Sequence, residues 1–360
     1  MGREKIKTAS LRCVCLTLVM AMLTSCGRQD GLSLIVSVPS LSVSRLPYVI
    51  AQDQGLFEKN GLHVELWLAT PQSEDKVVVS ADWLTKLWRM TGINTPQKPD
   101  VEINGATPMM IRTMQSSKAA HKIVVASTDC VVRAHVIGSK GMSQLSDLKG
   151  KRIGVSALPA TAGFQALILA EHMGWDPVRD IAIVEDAEDI KQLLAGKVDG
   201  VVGYEREYAQ AKRAGLPILL DMKEWNESVG GNSALVDPEW LKDPAHREAI
   251  RRFVKSTTEA IALFHTHPDI AFGVMRKWYG ITDQDYAKTI YERGAWIPRK
   301  PYACHEGLKK TTELYDSNEM RRHSPEEFFD DSFVRELDES GFIDKLYQQT
   351  VSETRPPAHE

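Results

Sequence analysis

Hydrophobic and polar positions change rhythm several times along this chain. Leu32-Ser33-Leu34-Ile35-Val36-Ser37-Val38 is apolar and β-branched, and His63-Val64-Glu65-Leu66-Trp67-Leu68 alternates polar with apolar, so both predict strands. Between them Pro47 suits the first turn of a helix that runs to Gly55, and Leu56 to Leu62 predicts a tight turn. Ser80 to Thr91 carries Trp83, Leu84, Leu87 and Trp88 at helical spacing, read as core anchors. Short strands are expected at 101–103, 122–127 and 135–138, with a helix from Pro108. Residues 150–221 then repeat strand and helix: strands at 152–155, 181–184, 201–202 and 217–220, and helices closed by Gly174, Gly196 and Gly215. Such alternation predicts a parallel or mixed sheet covered by helices. From Pro244 the pattern turns helical, with an apolar stripe of Ala249, Ile250, Phe253, Val254, Ala260, Ile261 and Phe264. Further helices are expected at 269–279, 282–293, 305–315 and 326–339, before a polar tail that frays, residues 351–360.

The first residues follow a different logic. Arg3, Lys5, Lys7 and Arg12 precede a short apolar run, Val14 to Leu23, too short for the roughly 20 residues that span a bilayer. It ends in Leu23-Thr24-Ser25-Cys26-Gly27, the pattern of a bacterial lipobox, in which the Cys26 thiol takes a lipid. Residues 1–25 are therefore expected to be an export signal, 26–31 a linker, and Cys26 the lipidation site of a protein anchored to, not spanning, a membrane.

Composition changes this picture little. The 360 residues hold 43% hydrophobic and 26% charged residues, which permits two sizeable lobes. The net charge of −4 excludes a strongly basic nucleic-acid footprint. Removing 25 residues with four bases and one acid would leave 335 residues at −7, which strengthens that exclusion. Cys130 and Cys304 remain; they could pair in an oxidising compartment, but nothing in the sequence places them within bridging distance, and they are read as two free, partly buried thiols.

Familiar catalytic signatures are missing. There is no Gly-x-Gly-x-x-Gly, phosphate loop, His-Glu-x-x-His or nucleophile elbow. His265-Thr266-His267 sits at a helix C-terminus, where such side chains are at home, and is not read as a metal site. The acid run Glu185 to Asp189 reads as helix N-terminal charge. Neither a metal nor a cofactor is expected, and nothing demands catalysis.

Four segments in order carry more information. They are Pro47 to Leu66 (PYVIAQDQGLFEKNGLHVEL), Asp147 to Val155 (DLKGKRIGV), Ala160 to Phe164 (ATAGF) opening a helix, and Leu193 to Val202 (LLAGKVDGVV). Together they resemble the solute-binding proteins of ABC importers, the group that covers nitrate, sulfonate, taurine and thiamine-pyrimidine binders, from about Leu32 to Leu263. The resemblance implies an α/β periplasmic binding protein type II fold: two lobes of mixed sheets flanked by helices, two hinge crossovers and a helical C-terminal region. Lobe one would take 32–130 plus 224–350, and lobe two 131–223. It also implies a monomeric, lipid-anchored receptor that captures a small molecule for an ABC permease and its ATPase. Pyrimidine-synthase and menaquinone-pathway enzymes of the same fold, or a sensor for a membrane partner, are the alternatives.

In that family the ligand sits in the cleft, at strand C-terminal ends and helix N-termini. This nominates Ser44 and Arg45 after the first strand, Thr70 after the second, Thr107 between strand and helix, and Thr128 before the first crossover. Thr161 and Ala162 open a helix of lobe two, Tyr204 and Glu205 follow the Val201-Val202 strand, and Asn232 lies near the second crossover. Trp225 is a weaker candidate for stacking on a planar ligand. Arg45 and the helix start at Thr161 favour an anion, whereas Tyr204 and Glu205 favour a planar heterocycle that donates hydrogen bonds. The chain departs from the family between Thr70 and Gly105, where an extension with Leu87-Trp88-Arg89-Met90 and a Pro-rich loop reshapes one cleft wall.

Overall fold

The computed structural model describes residues 31–38, 42–68, 98–115, 121–158, 160–315, 318 and 320–353. The expected export signal, Cys26, Thr70 and the Trp83–Trp88 helix lie outside the described residues.

Among the described residues, ten strands form two five-stranded sheets. The first has the order β2-β1-β3-β10-β4, with β1 (Leu32–Val38), β2 (Leu62–Leu68), β3 (Val101–Gly105), β4 (Ile123–Ser127) and β10 (Asn232–Val236). β1 runs parallel to β2, from Leu32↔Leu62 to Val38↔Leu68, and parallel to β3. β10 lies antiparallel between β3 and β4, with Asn232 opposite Gly105 and Ser233 opposite Ser127. The second sheet has the order β7-β6-β8-β5-β9, with β5 (His135–Gly138), β6 (Arg152–Gly154), β7 (Ala182–Val184), β8 (Gly200–Gly203) and β9 (Ile218–Asp221). Each sheet supports its own apolar core, so the molecule has two lobes. The first is built on Leu34, Val36, Ile103 and Val125 with Phe253 and Phe264, and the second on Val136, Ile153 and Val202 with Phe164 and Ile168.

The alternation in β2 leaves one face of this edge strand in water. His63 and Glu65 face water while Leu62, Val64 and Leu66 are buried. β4, whose five residues are all buried, is covered on both faces. Helix α1 (Leu46–Asp53) begins with Pro47 in its first turn, and α2 (Leu56–Lys59) follows it at once. The tight turn expected at 56–62 is thus a short helix: Gly55 turns left-handed at φ 62°, and Phe57 stacks on Phe253 at 5.5 Å. Further helices are α3 (Ala106–Gln115), α4 (Thr161–His172), α5 (Ile190–Leu194), α6 (Glu205–Ala214), α7 (Pro244–Thr266), α8 (Pro268–Tyr279), α9 (Gln284–Arg293), α10 (His305–Leu314), α11 (Ser332–Glu339) and α12 (Phe342–Glu353). The helix expected over 326–339 is broken: residues Pro325–Phe328 make a 3₁₀ turn, Phe329 pairs with Val124 of the first sheet, and the helix restarts at Ser332.

The chain passes from the first sheet to the second after Ser127 and returns after Asp221. These two crossovers pair with each other. Val131 bridges Ser228 antiparallel, Val132 N–H donates to Glu227 O at 2.8 Å, and Gly231 N–H to Asp129 O at 3.1 Å. A short two-stranded ribbon therefore joins the lobes.

Cys130 on the first crossover is bonded to Cys304, with Cα atoms 5.2 Å apart. The expectation of two free thiols is corrected. The partners are 174 residues apart, and only the packing of the C-terminal region against the crossover brings them together. That region also touches the second lobe. Arg293 donates to Asp221 at 2.9 Å, Lys310 pairs with Glu171 at 2.7 Å, and the Tyr315 hydroxyl donates to Leu158 O at 2.9 Å.

Candidate functional site

The cleft is built where the crossovers leave the sheets. Ser42 and Ser44 lie around the 3₁₀ turn between β1 and α1, with hydroxyls 2.9 Å apart. Asn232, the first residue of β10, donates from Nδ2 to Ser44 Oγ at 2.5 Å. Thr128, just beyond β4, donates to Asn232 O at 3.3 Å and to the Tyr48 hydroxyl at 3.5 Å. From the second lobe come Tyr204 and Glu205, at the N-terminus of α6. Gln165 of α4 donates to the Tyr204 hydroxyl at 3.0 Å.

Arg133 stands at the centre, 4% exposed. Its Nε lies 3.3 Å from both Asp129 oxygens and its Nη2 3.1 Å from Oδ2. Nη1 donates to Glu205 at 2.5 Å, and Nη2 reaches Ser42 at 3.3 Å and Ser44 at 3.4 Å. The guanidinium lies over the rings of Trp296 at 4.4 Å and Tyr204 at 4.7 Å. Burial opposes the Arg133 charge, but Asp129 and Glu205 outweigh it and hold the group above the ordinary guanidinium range. Arg45 lies within electrostatic reach of Arg133, Asp129, Tyr204 and Tyr279; burial lowers it to about 10, against the effect of Tyr279. Burial likewise raises Tyr204 and Tyr48, so both stay phenols.

The structure thus brings Ser44, Arg45, Thr128, Tyr204, Glu205 and Asn232 into one neighbourhood. Thr107 turns elsewhere: its hydroxyl pairs with Thr311 of α10 at 2.7 Å, and its N–H donates to Gly230 O at 2.8 Å. Thr161 is the first residue of α4, after an Ala160 N-cap that offers no side chain, so its hydroxyl does not cap the helix. It faces the other lobe: a Cβ placed on Gly105 would lie 2.8 Å from Thr161 Oγ1. Ala162 packs into the second core. Trp225 stacks on the His172 ring at 4.0 Å and takes no place beside Arg133.

Sequence reasoning missed Asp129, Arg133, Gln165 and Trp296. A signal for the first two exists: Asp129-Cys130-Val131-Val132-Arg133 puts opposite charges at both ends of an apolar crossover. Trp296, 163 positions from Arg133 in sequence, carries no such signal.

Among the described residues no cluster of three or more His, Cys, Asp or Glu could hold a metal ion. The sulfurs beside the cleft are bonded to each other and offer no thiolate. What the site supplies is hydrogen bonding, paired charge and two aromatic faces. A polar surface hollow of about 200 Å³, lined by Glu227, Ser228, Glu306, Lys309, Lys310 and Glu313, shares no residue with it.

Residues 121–271 match the family model described as NMT1/THI5 like. No curated protein matches the sequence. Solved structures do match in shape. The periplasmic sulfonate-binding protein SsuA from Methylobacillus flagellatus KT is 16% identical with a TM-score of 0.60, over 86% of this chain and 95% of that one. The periplasmic nitrate-binding protein NrtA from Synechocystis PCC 6803 is 12% identical with a TM-score of 0.57, over 91% and 90%. The desulfurization enzyme DSZB is 13% identical with a TM-score of 0.55, over 86% and 99%. The fold is that of the periplasmic binding proteins, two mixed sheets flanked by helices, as the sequence resemblance implied.

Proposed function

We propose that this chain is a lipid-anchored, extracytoplasmic solute-binding receptor, which takes a small molecule into the cleft between its lobes and delivers it to an ABC permease and ATPase. The lobes would comprise 32–130 with 224–350, and 131–223. The observation that carries this reading is the convergence of buried polar side chains from both lobes on one point, beside the two-stranded ribbon that joins them. Such an arrangement recognises a solute by hydrogen bonds and traps it by closure. Among the described residues no helix is long and apolar enough to cross a membrane, and the proposed attachment is the lipid expected at Cys26.

Ligand-contact roles are proposed for Ser44, Arg45, Thr128, Tyr204, Glu205 and Asn232, with Thr161 at the cleft mouth. The test is titration calorimetry of the exported protein against sulfonates, nitrate, pyrimidines and small aromatic acids. Binding of one class, lost on Ser44→Ala with Asn232→Ala, is expected; binding of none would refute the reading. Similarity to a desulfurization enzyme favours a second reading, catalysis in the same cleft. Turnover of a bound organosulfur compound, read by mass spectrometry, would support it.

A further inference from the structure

We infer that Arg133 is an internal occupant of the cleft: without solute its guanidinium fills the space between the lobes and holds them together, and solute binds by displacing it. The second half of this statement rests on the receptor reading above; the first stands without it.

The inference follows from where the two ends of the residue belong. The Arg133 backbone is fixed to the second lobe. Its N–H and that of Ala134 donate to Gln165 Oε1 at 3.3 and 2.8 Å, and Val132 and Ala134 are buried in the second core. The side chain points the other way, to Ser42 and Ser44 of the first lobe, to Asp129 at the first-lobe end of the crossover, and to Trp296 of the C-terminal region. The Cys130–Cys304 bond ties the segment carrying Trp296 to the residue next to Asp129 and sets it with this jaw, although Arg293 of the same segment also donates to Asp221 of the second lobe. Glu205, Tyr204 and Gln165 form the other and travel with Arg133.

Rotation about the ribbon would therefore pull the guanidinium away from Asp129, the two serines and Trp296, while Glu205 stays with it. A cleft that closes empty leaves buried polar groups unpaired, which is costly. Here the guanidinium supplies the partners: its Nε, Nη1 and Nη2 all donate to oxygen, and the Tyr204 and Trp296 rings lie against it. The arrangement with the lobes joined is thereby stabilised. A solute must outcompete it, so apparent affinity falls with the fraction of open molecules.

The test is small-angle X-ray scattering on the solute-free full chain, comparing wild type, Arg133→Gln and the double variant Ser42→Ala with Trp296→Ala. The double variant weakens the same contacts without uncovering a buried carboxylate, and stays informative if Arg133→Gln folds poorly. Both variants are expected to show a larger radius of gyration than wild type. Equal radii in the wild type and a folded variant would overturn the latch. Calorimetry with any solute that wild type binds decides the second half: Arg133→Gln should bind it at least as tightly, and a loss of about tenfold or more would mean that Arg133 holds the solute instead of yielding to it. If wild type binds none of the panel, the receptor reading fails, while scattering still decides the latch.

Discussion

Asp129 and Arg133 face each other across the first crossover, carboxylate Oδ2 to guanidinium Nη2 at 3.1 Å, and both are almost free of solvent. They are four residues apart, yet no helix joins them. The pair exists because the crossover turns from one sheet toward the other between them.

Asp129→Asn would leave the buried Arg133 guanidinium with Glu205 as its remaining carboxylate partner. It is expected to cost about 1–3 kcal/mol of stability, read as a lower urea midpoint at unchanged slope. Glu58→Gln, on the exposed face of α2, should change it by less than about 0.5 kcal/mol. Equal effects would mean that the Arg133 charge does not depend on Asp129.

His135 makes stability depend on acidity. The ring is fully buried, tilted against Tyr208 with centroids 4.4 Å apart. Arg293 Nη2 lies 3.5 Å from Nδ1, and Asp221, 3.9 Å from Nε2, is itself held by Arg293. Burial first, then the charges of Arg293 and Arg133, push the imidazole down to about 3, against a bond to Gly203. An unfolded histidine titrates near 6.5. Below that pH the unfolded chain binds a proton that the folded chain refuses, so stability falls as pH drops from about 6.5 toward 3, by up to about 1.4 kcal/mol per unit. Urea titrations at several pH values should show this slope, and His135→Phe should flatten it.

The Cys130–Cys304 bond closes a segment spanning 174 residues. Loop-closure entropy assigns such a link about 5 kcal/mol. The double variant Cys130→Ser with Cys304→Ser is expected to lose several kcal/mol of that in urea melts. Fluorescence from Trp296 should also shift as the C-terminal region loosens from the crossover.

Gly307 lies where α10 presses on the second crossover. A Cβ there would meet Val229 C at 2.2 Å and Gly230 N at 2.5 Å, backbone atoms that cannot swing aside. Gly307→Ala should cost about 1–3 kcal/mol, measured by thermal or urea unfolding. A neutral result would mean that α10 moves away without loss.

Most elements were legible because their signals are local. β1 and β2 follow from apolar alternation, α1 from Pro47, and α7 from its apolar stripe. β10 was not legible. Asn232-Ser233-Ala234-Leu235-Val236 begins with two polar residues after two glycines, and reads as loop. It becomes a central strand because β3 and β4 leave a gap whose hydrogen-bonding edges it fills, and all five of its residues are buried there.

The site divides along the same line. Ser44, Tyr204 and Glu205 could be nominated because each follows or opens an element that the sequence shows, and the ends of elements are where polar groups face the cleft in the family the chain resembles; Asn232 was nominated for its place near the second crossover. The sequence by itself determined the strand–helix alternation and the helical C-terminal region, and its resemblance to importer binding proteins implied two lobes and nominated those positions. Only the tertiary structure decided that Arg133 occupies the centre, that Thr107 turns to Thr311, and that Cys130 meets Cys304. These depend on how the C-terminal region folds back on the crossovers, and contacts between residues more than a hundred positions apart leave no periodicity in the chain that makes them.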